Sequence, residues 1–225
     1  METTQTGSII KSFIIGFYLV LLLWIVKWIE FKFDISFAHW GIYPRSINGL
    51  KGILTAPFIH ADINHLASNS LSLLITATML WYFFKELAIK TIFSIYLLTG
   101  LGVWLFARPA IHIGASGVVY GLTSFLFFSG LFRKDPRLMG LSLLVVFLYG
   151  SLIWGIFPIS PELSWESHLT GGVIGALLGY FFRNQGPQRK TYAIENEDEE
   201  EEFDDEYWNE ENKDDEESKP DSLLH

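Results

Sequence analysis

The chain has no cysteine. That absence excludes disulfides, thiolate metal sites and a cysteine nucleophile, and it leaves the redox compartment open. A His-Glu-x-x-His run is also missing, so zinc-protease chemistry has no support. No basic stripe of the kind that tracks a phosphate backbone is present, and no nucleic-acid partner follows. The first dozen residues hold one Lys and one Glu, without the Arg-rich, acid-poor character of a mitochondrial presequence, and no signal-cleavage pattern follows the first apolar run. That run is therefore expected to be retained. Charge itself is scarce over most of the length. The formal net charge of -9 arises from acidic residues crowded after Ala193, and the remainder is mildly basic.

What is abundant is apolar side chain. Of 225 residues, 50% are hydrophobic, with 19 Phe and 8 Trp, which is too apolar for an ordinary soluble domain of this size. The composition predicts an all-α, polytopic membrane protein. A bilayer-crossing helix needs about 20 mostly apolar residues, and six stretches meet or approach that length: Ser12–Ile29, His65–Phe84, Thr91–Ala107, Ala115–Phe132, Leu138–Phe157 and Ser167–Phe182. Lys27, near the end of the first, is expected to snorkel to the interface. The long connection from Glu30 to Asn64 holds Trp40, Tyr43, Pro44, Arg45 and Ile53-Leu54, and reads as an interfacial loop with short amphipathic pieces. Lys11, Lys85, Lys90, Arg133, Lys134, Arg137, Arg183, Arg189 and Lys190 fall on one side of such a bundle, against Lys32, Arg45, Lys51 and Arg108 on the other. This bias predicts that both termini are cytoplasmic. The chain then divides into a short N-terminus (1–11), a six-helix membrane domain (12–183) and an acidic tail (184–225). From Glu195 to Glu217 the tail is too charged to bury a core, and disorder is expected.

With both ends inside, the even-numbered segments run from the outer face inward, and each carries its polar residues early. Asn69 and Ser116 fall roughly 10 Å down at about 1.5 Å per residue, and His168 is near the start of the last segment. Polar groups at that depth must face one another or a water-filled cavity. Ser167, Gly171, Gly175 and Gly179 repeat every four residues, and Gly117 and Gly121 share that interval. Small residues so spaced let two backbones approach in lipid. Such a seam would bring Ser116 Oγ to the His168 ring, as base-activated nucleophilic attack requires. Leu178 is expected on the lipid side of the same helix. Tyr120, one turn below Ser116, is placed to pack on the histidine ring. His65 and Asn69, at i and i+4, share one helix face, and an imidazole and a carboxamide could join the Ser116 backbone N–H as donors to an oxyanion. His60 need not face the same site, and its expected role is structural, bonding the outer loop to the helix start. Interhelical hydrogen bonding and plain packing would explain each feature singly. Four polar residues at one depth beside a glycine seam raise catalysis to equal weight with that reading.

In combination and order, His60, His65 and Asn69 in HADINHLASN, Gly114, Ser116 and Gly117 in GASG, and His168, Gly171 and Gly175 in HLTGGVIG resemble the rhomboid family of intramembrane serine proteases, over Ile53 to Phe182. The resemblance implies a six-helix core and a Ser–His dyad without a third acidic member. It also implies hydrolysis of peptide bonds in or near the transmembrane segments of other membrane proteins, with no cofactor or metal. By that analogy Ser116 is the nucleophile, His168 the general base and then acid, and His65 and Asn69 the oxyanion donors, while Gly114 gives its loop backbone freedom. Two departures are visible. Ser167 stands where alanine is common, and Trp40 and Arg45, five apart, replace at best the family's Trp-Arg pairing. A non-catalytic relative that binds transmembrane helices is the alternative, against which the intact dyad argues. A transporter would place charged or broken helices near the midplane, whereas these polar groups cluster toward one face. The expected location is multi-pass in the plasma membrane, or the inner membrane of a bacterium.

Overall fold

The computed structural model describes residues 8–159 and 163–188. The stretch from Glu195 to Glu217, expected to be disordered, lies outside the described residues. Among them every regular element is helical, apart from an isolated antiparallel bridge between Ile42 and His112. The helices are α1 (Ile9–Phe33), the single turn α2 (Gly52–Thr55), α3 (Ile63–Phe83), α4 (Lys85–Phe106), α5 (Ser116–Arg133), α6 (Pro136–Tyr149) and α7 (Trp165–Phe181). Three of them, α1, α3 and α4, are long and apolar enough to cross a membrane by length and composition.

Local chemistry sets the ends. Asp62 caps α3, accepting the His65 amide at 2.9 Å, and that bond is the main cause holding its carboxyl below the usual range. Asp135 caps α6 through the amides of Arg137 and Leu138, and Pro136 occupies the first helical position, where its missing N–H is not needed. Only Phe84 separates α3 from α4, so α4 starts at Lys85 rather than near Thr91. Phe84 is fully buried against Phe125, and this anchoring makes the connection short. The fifth apolar stretch also differs from expectation: α6 ends at Tyr149 and continues to Ile156 as a 3-10 segment.

The central element is α5, packed against α3, α4, α6 and α7. Leu66, Leu80, Phe84, Ile95, Leu122, Phe125 and Leu126 form the fully buried centre. By contrast α1 touches chiefly α3. There Gly16 lies against the Leu74 carbonyl and Trp24 Nε1 donates to Ser70 Oγ at 3.0 Å. Its remaining faces expose Phe13, Phe17, Tyr18 and Leu22, an apolar surface suited to lipid.

Two cations are held within the protein, and Leu178 departs from its expected place. Lys27 donates to Glu30 Oε2 at 3.1 Å, His60 O at 2.9 Å and Ala61 O at 3.2 Å, acceptors that satisfy its ammonium within the protein. Arg133 is buried, and its guanidinium donates to the carbonyls of Phe182 at 2.6 Å and Gln185 at 3.0 Å. It closes the end of α7, whose last carbonyls have no partner within the helix. Leu178 is 8% exposed. It belongs to the core rather than to the lipid face, since α7 is covered by α5 on one side and α4 on another.

Candidate active site

Ser116 is the first residue of α5, reached through the short segment Ile111–Ala115. That segment is held along its length. His112 exchanges both backbone bonds with Ile42 at 2.9 Å, and the Gly114 amide donates to Ala56 O at 2.9 Å. Gly114 has φ +108°, a conformation that L side chains rarely adopt. Space forbids a side chain there too, since a Cβ would lie 2.8 Å from His65 Cε1 and 3.6 Å from Asn69 Nδ2. The loop before Ser116 therefore sits directly against the His65–Asn69 face of α3.

His60 supports the same loop. Its Nε2 lies 3.4 Å from the Ala115 amide, so the bond runs to the residue before Ser116 and not, as expected, to the start of α3. The ring is 2% exposed. Burial first, then the neighbouring His65, depresses its pKa to about 4, and a neutral Nε2 is what can accept the amide proton.

Ser116 Oγ lies 2.9 Å from His168 Nε2. The other ring nitrogen, Nδ1, is 2.9 Å from the carbonyl oxygen of Gly155. A carbonyl can only accept, so Nδ1 carries the proton and Nε2 is left to take the serine's. Tyr120 lies flat on the imidazole, with centroids 4.1 Å apart and planes 4° apart. Asn69 Nδ2 is buried without a hydrogen-bond partner among the described residues. The amides of the first turn of α5 also lack acceptors within their own helix.

The approach of α7 to α5 is backbone on backbone. A Cβ at Gly171 would overlap the Gly117 carbonyl oxygen, one at Gly175 would overlap that of Gly121, and Ser124 Oγ donates to Gly172 O at 2.6 Å. This closeness carries His168 to Ser116.

Several residues escaped the sequence reading. Gly155 gave no signal, because a main-chain carbonyl has no side-chain signature. Glu166, 7% exposed, lies 3.5 Å from Arg108 Nε and accepts the Arg108 amide. His112 Nδ1, Ser164 Oγ and Ser167 Oγ form a chain with 2.6 Å links, so the hydroxyl of Ser167 ties the start of α7 to the segment before Ser116. Spacing could have flagged Glu166, two before His168, but not its partner 58 positions away. Trp40 and Arg45 do not form a couple: Arg45 donates to the Leu105 and Ala107 carbonyls, and Lys51 stands over the Trp40 ring. Among the described residues no three His, Asp or Glu side chains converge as a metal-binding group.

Comparison with known proteins agrees with this arrangement at the level of family. The family model for the Rhomboid domain matches residues 48–185. Uncharacterized proteins of Mycobacterium tuberculosis and Mycobacterium bovis are 32% identical over 210 residues, covering 85% of this chain and 84% of theirs. One from Mycobacterium leprae is 30% identical over 183 residues, covering 77% of this chain and 71% of its own. With a model spanning more than half the chain, and with Ser116, His168 and Gly114 inside the matched region, the chain belongs to the rhomboid family.

Proposed function

We propose that this protein is an intramembrane serine endopeptidase that cleaves peptide bonds in or near the transmembrane segments of other membrane proteins. The observation that carries the reading is the 2.9 Å contact between Ser116 Oγ and His168 Nε2 on a histidine whose other nitrogen is already committed. Ser116 Oγ attacks the scissile carbonyl carbon while its proton passes to His168 Nε2. The carbonyl oxygen becomes an oxyanion, received by Asn69 Nδ2, His65 and the Ser116 amide. The tetrahedral adduct collapses as the C–N bond breaks, and His168 returns its proton to the leaving amine. Water, deprotonated by His168, then hydrolyses the Ser116 ester and regenerates the hydroxyl.

In this reading six helices, α1 and α3 to α7, cross the bilayer. Both termini are cytoplasmic, and the site opens toward the outer face of the plasma membrane. The partners are transmembrane protein substrates and the bilayer. The test is cleavage of a model transmembrane substrate by the purified protein, with fluorophosphonate labelling of Ser116. Ser116→Ala and His168→Ala are each expected to lose turnover by at least about 1,000-fold while remaining membrane-inserted. Normal turnover by Ser116→Ala would end the hydrolase reading. An unlabelled, inert wild type that still captures transmembrane helices would move the protein to the non-catalytic relatives.

A further inference from the structure

The group behind His168 belongs to another part of the chain. Gly155 is in the 3-10 segment Gly150–Ile156 that continues α6, and its carbonyl receives His168 Nδ1–H at 2.9 Å. The same residue is confined on its side-chain face. A Cβ there would overlap Tyr120 Oη and lie 3.1 Å from both Tyr120 Cζ and His168 Nδ1. Tyr120 cannot turn away without leaving the imidazole on which it is stacked. The segment cannot move away without stretching the bond to Nδ1. Gly155 has no positive φ, so space rather than backbone angle demands the glycine.

We propose that Gly155 is a positioning residue for catalysis, its carbonyl standing where other serine hydrolases place a third, acidic side chain, and that its missing side chain is what admits it beside Tyr120. The inference rests on the Ser116–His168 reading above. A neutral carbonyl fixes the tautomer and direction of the ring, as an orienting third group does, without adding a negative charge. The dyad is therefore complete only while residues 150–156 lie against α7.

The test uses the full-length protein in detergent, labelled with 15N-histidine, beside steady-state cleavage of a transmembrane substrate. The His168 signals are assigned by their loss in His168→Gln. Wild type is expected to show the Nδ1-protonated tautomer with a slowly exchanging proton. Gly155→Ala is expected to lower kcat on the order of 100-fold, as a displacement of about 1 Å does, with KM within about twofold, and to lose the slow exchange. Adding Tyr120→Phe removes the overlapping oxygen and keeps the ring, and should recover at least about tenfold in kcat together with the protected proton. The proposal is overturned if Gly155→Ala stays within about threefold of wild type, or if the second substitution recovers nothing. It is equally overturned if wild-type His168 carries its proton on Nε2 or exchanges an Nδ1 proton at the solvent rate. That last measurement decides the matter even where Gly155→Ala does not fold. A protected Nδ1 proton in a wild type that neither cleaves nor labels would instead remove the hydrolase reading, and with it the catalytic role of Gly155.

Discussion

Asn69 holds a buried amide nitrogen with no partner among the described residues, a condition that ordinarily costs about 1–3 kcal/mol. In the proposed reaction its acceptor is the developing oxyanion. Asn69→Ala should accordingly reduce kcat by roughly 10- to 1,000-fold, the range for one lost oxyanion donor, while thermal stability changes by less than about 1 kcal/mol because the unsatisfied donor leaves with the side chain. A stability loss with unchanged kcat would make Asn69 a structural residue. Its position was legible in the chain, since four residues from His65 on a helix means one shared face. What could not be read was that its nitrogen is unpartnered, which depends on what every neighbouring helix leaves unoffered.

Between elements, the contact of α5 with α7 sets the distance between Ser116 and His168. Gly171 and Gly172 are adjacent on α7, yet a Cβ on the first would overlap the Gly117 carbonyl and one on the second meets nothing within 4 Å. The same substitution therefore has opposite outcomes. Gly171→Leu should insert in the membrane but lose about 100-fold or more in turnover, because separating the backbones moves His168 from Ser116. Gly172→Leu should stay within about threefold of wild type. Equal activity in the two variants would show that the seam does not set the Ser116–His168 distance. The four-residue repeat announces a close face, but it does not say which flank of the helix is covered. Leu178 was expected to face lipid and lies in the core for that reason.

At the scale of the whole molecule, His60 is where the first helix, the loop that follows it and the segment before Ser116 meet. Lys27 of α1 donates to its carbonyl, Glu30 accepts from Lys27 and from the Phe37 amide, and the His60 ring takes the amide before Ser116. Its folded pKa of about 4 lies below the ordinary 6.5, so the unfolded chain binds the proton more readily. The stabilisation is complete above about pH 6.5 and is lost as pH falls toward 4, by up to about 3 kcal/mol. Thermal unfolding followed across that window should show the decline, and His60→Gln should flatten it at a lower overall stability. An unchanged slope in that variant would place the titrating group elsewhere.

Composition and motif order alone determined that the chain is an all-helical, apolar protein and singled out the side chains proposed to carry its chemistry. The hydroxyl of Ser116, the imidazole of His168 and the amide of Asn69 are side chains with few substitutes, and helical periodicity places them on predictable faces. The tertiary structure decided everything that reaches these groups through the main chain or from a distant segment. The Gly155 carbonyl on His168 Nδ1, the Ala56 carbonyl on Gly114 and the pairing of Glu166 with Arg108 are of this kind. Every residue has a carbonyl, and a partner 58 positions away leaves no local pattern. Such contacts exist only after the helices have packed, because packing, not residue type, selects which backbone group faces the ring.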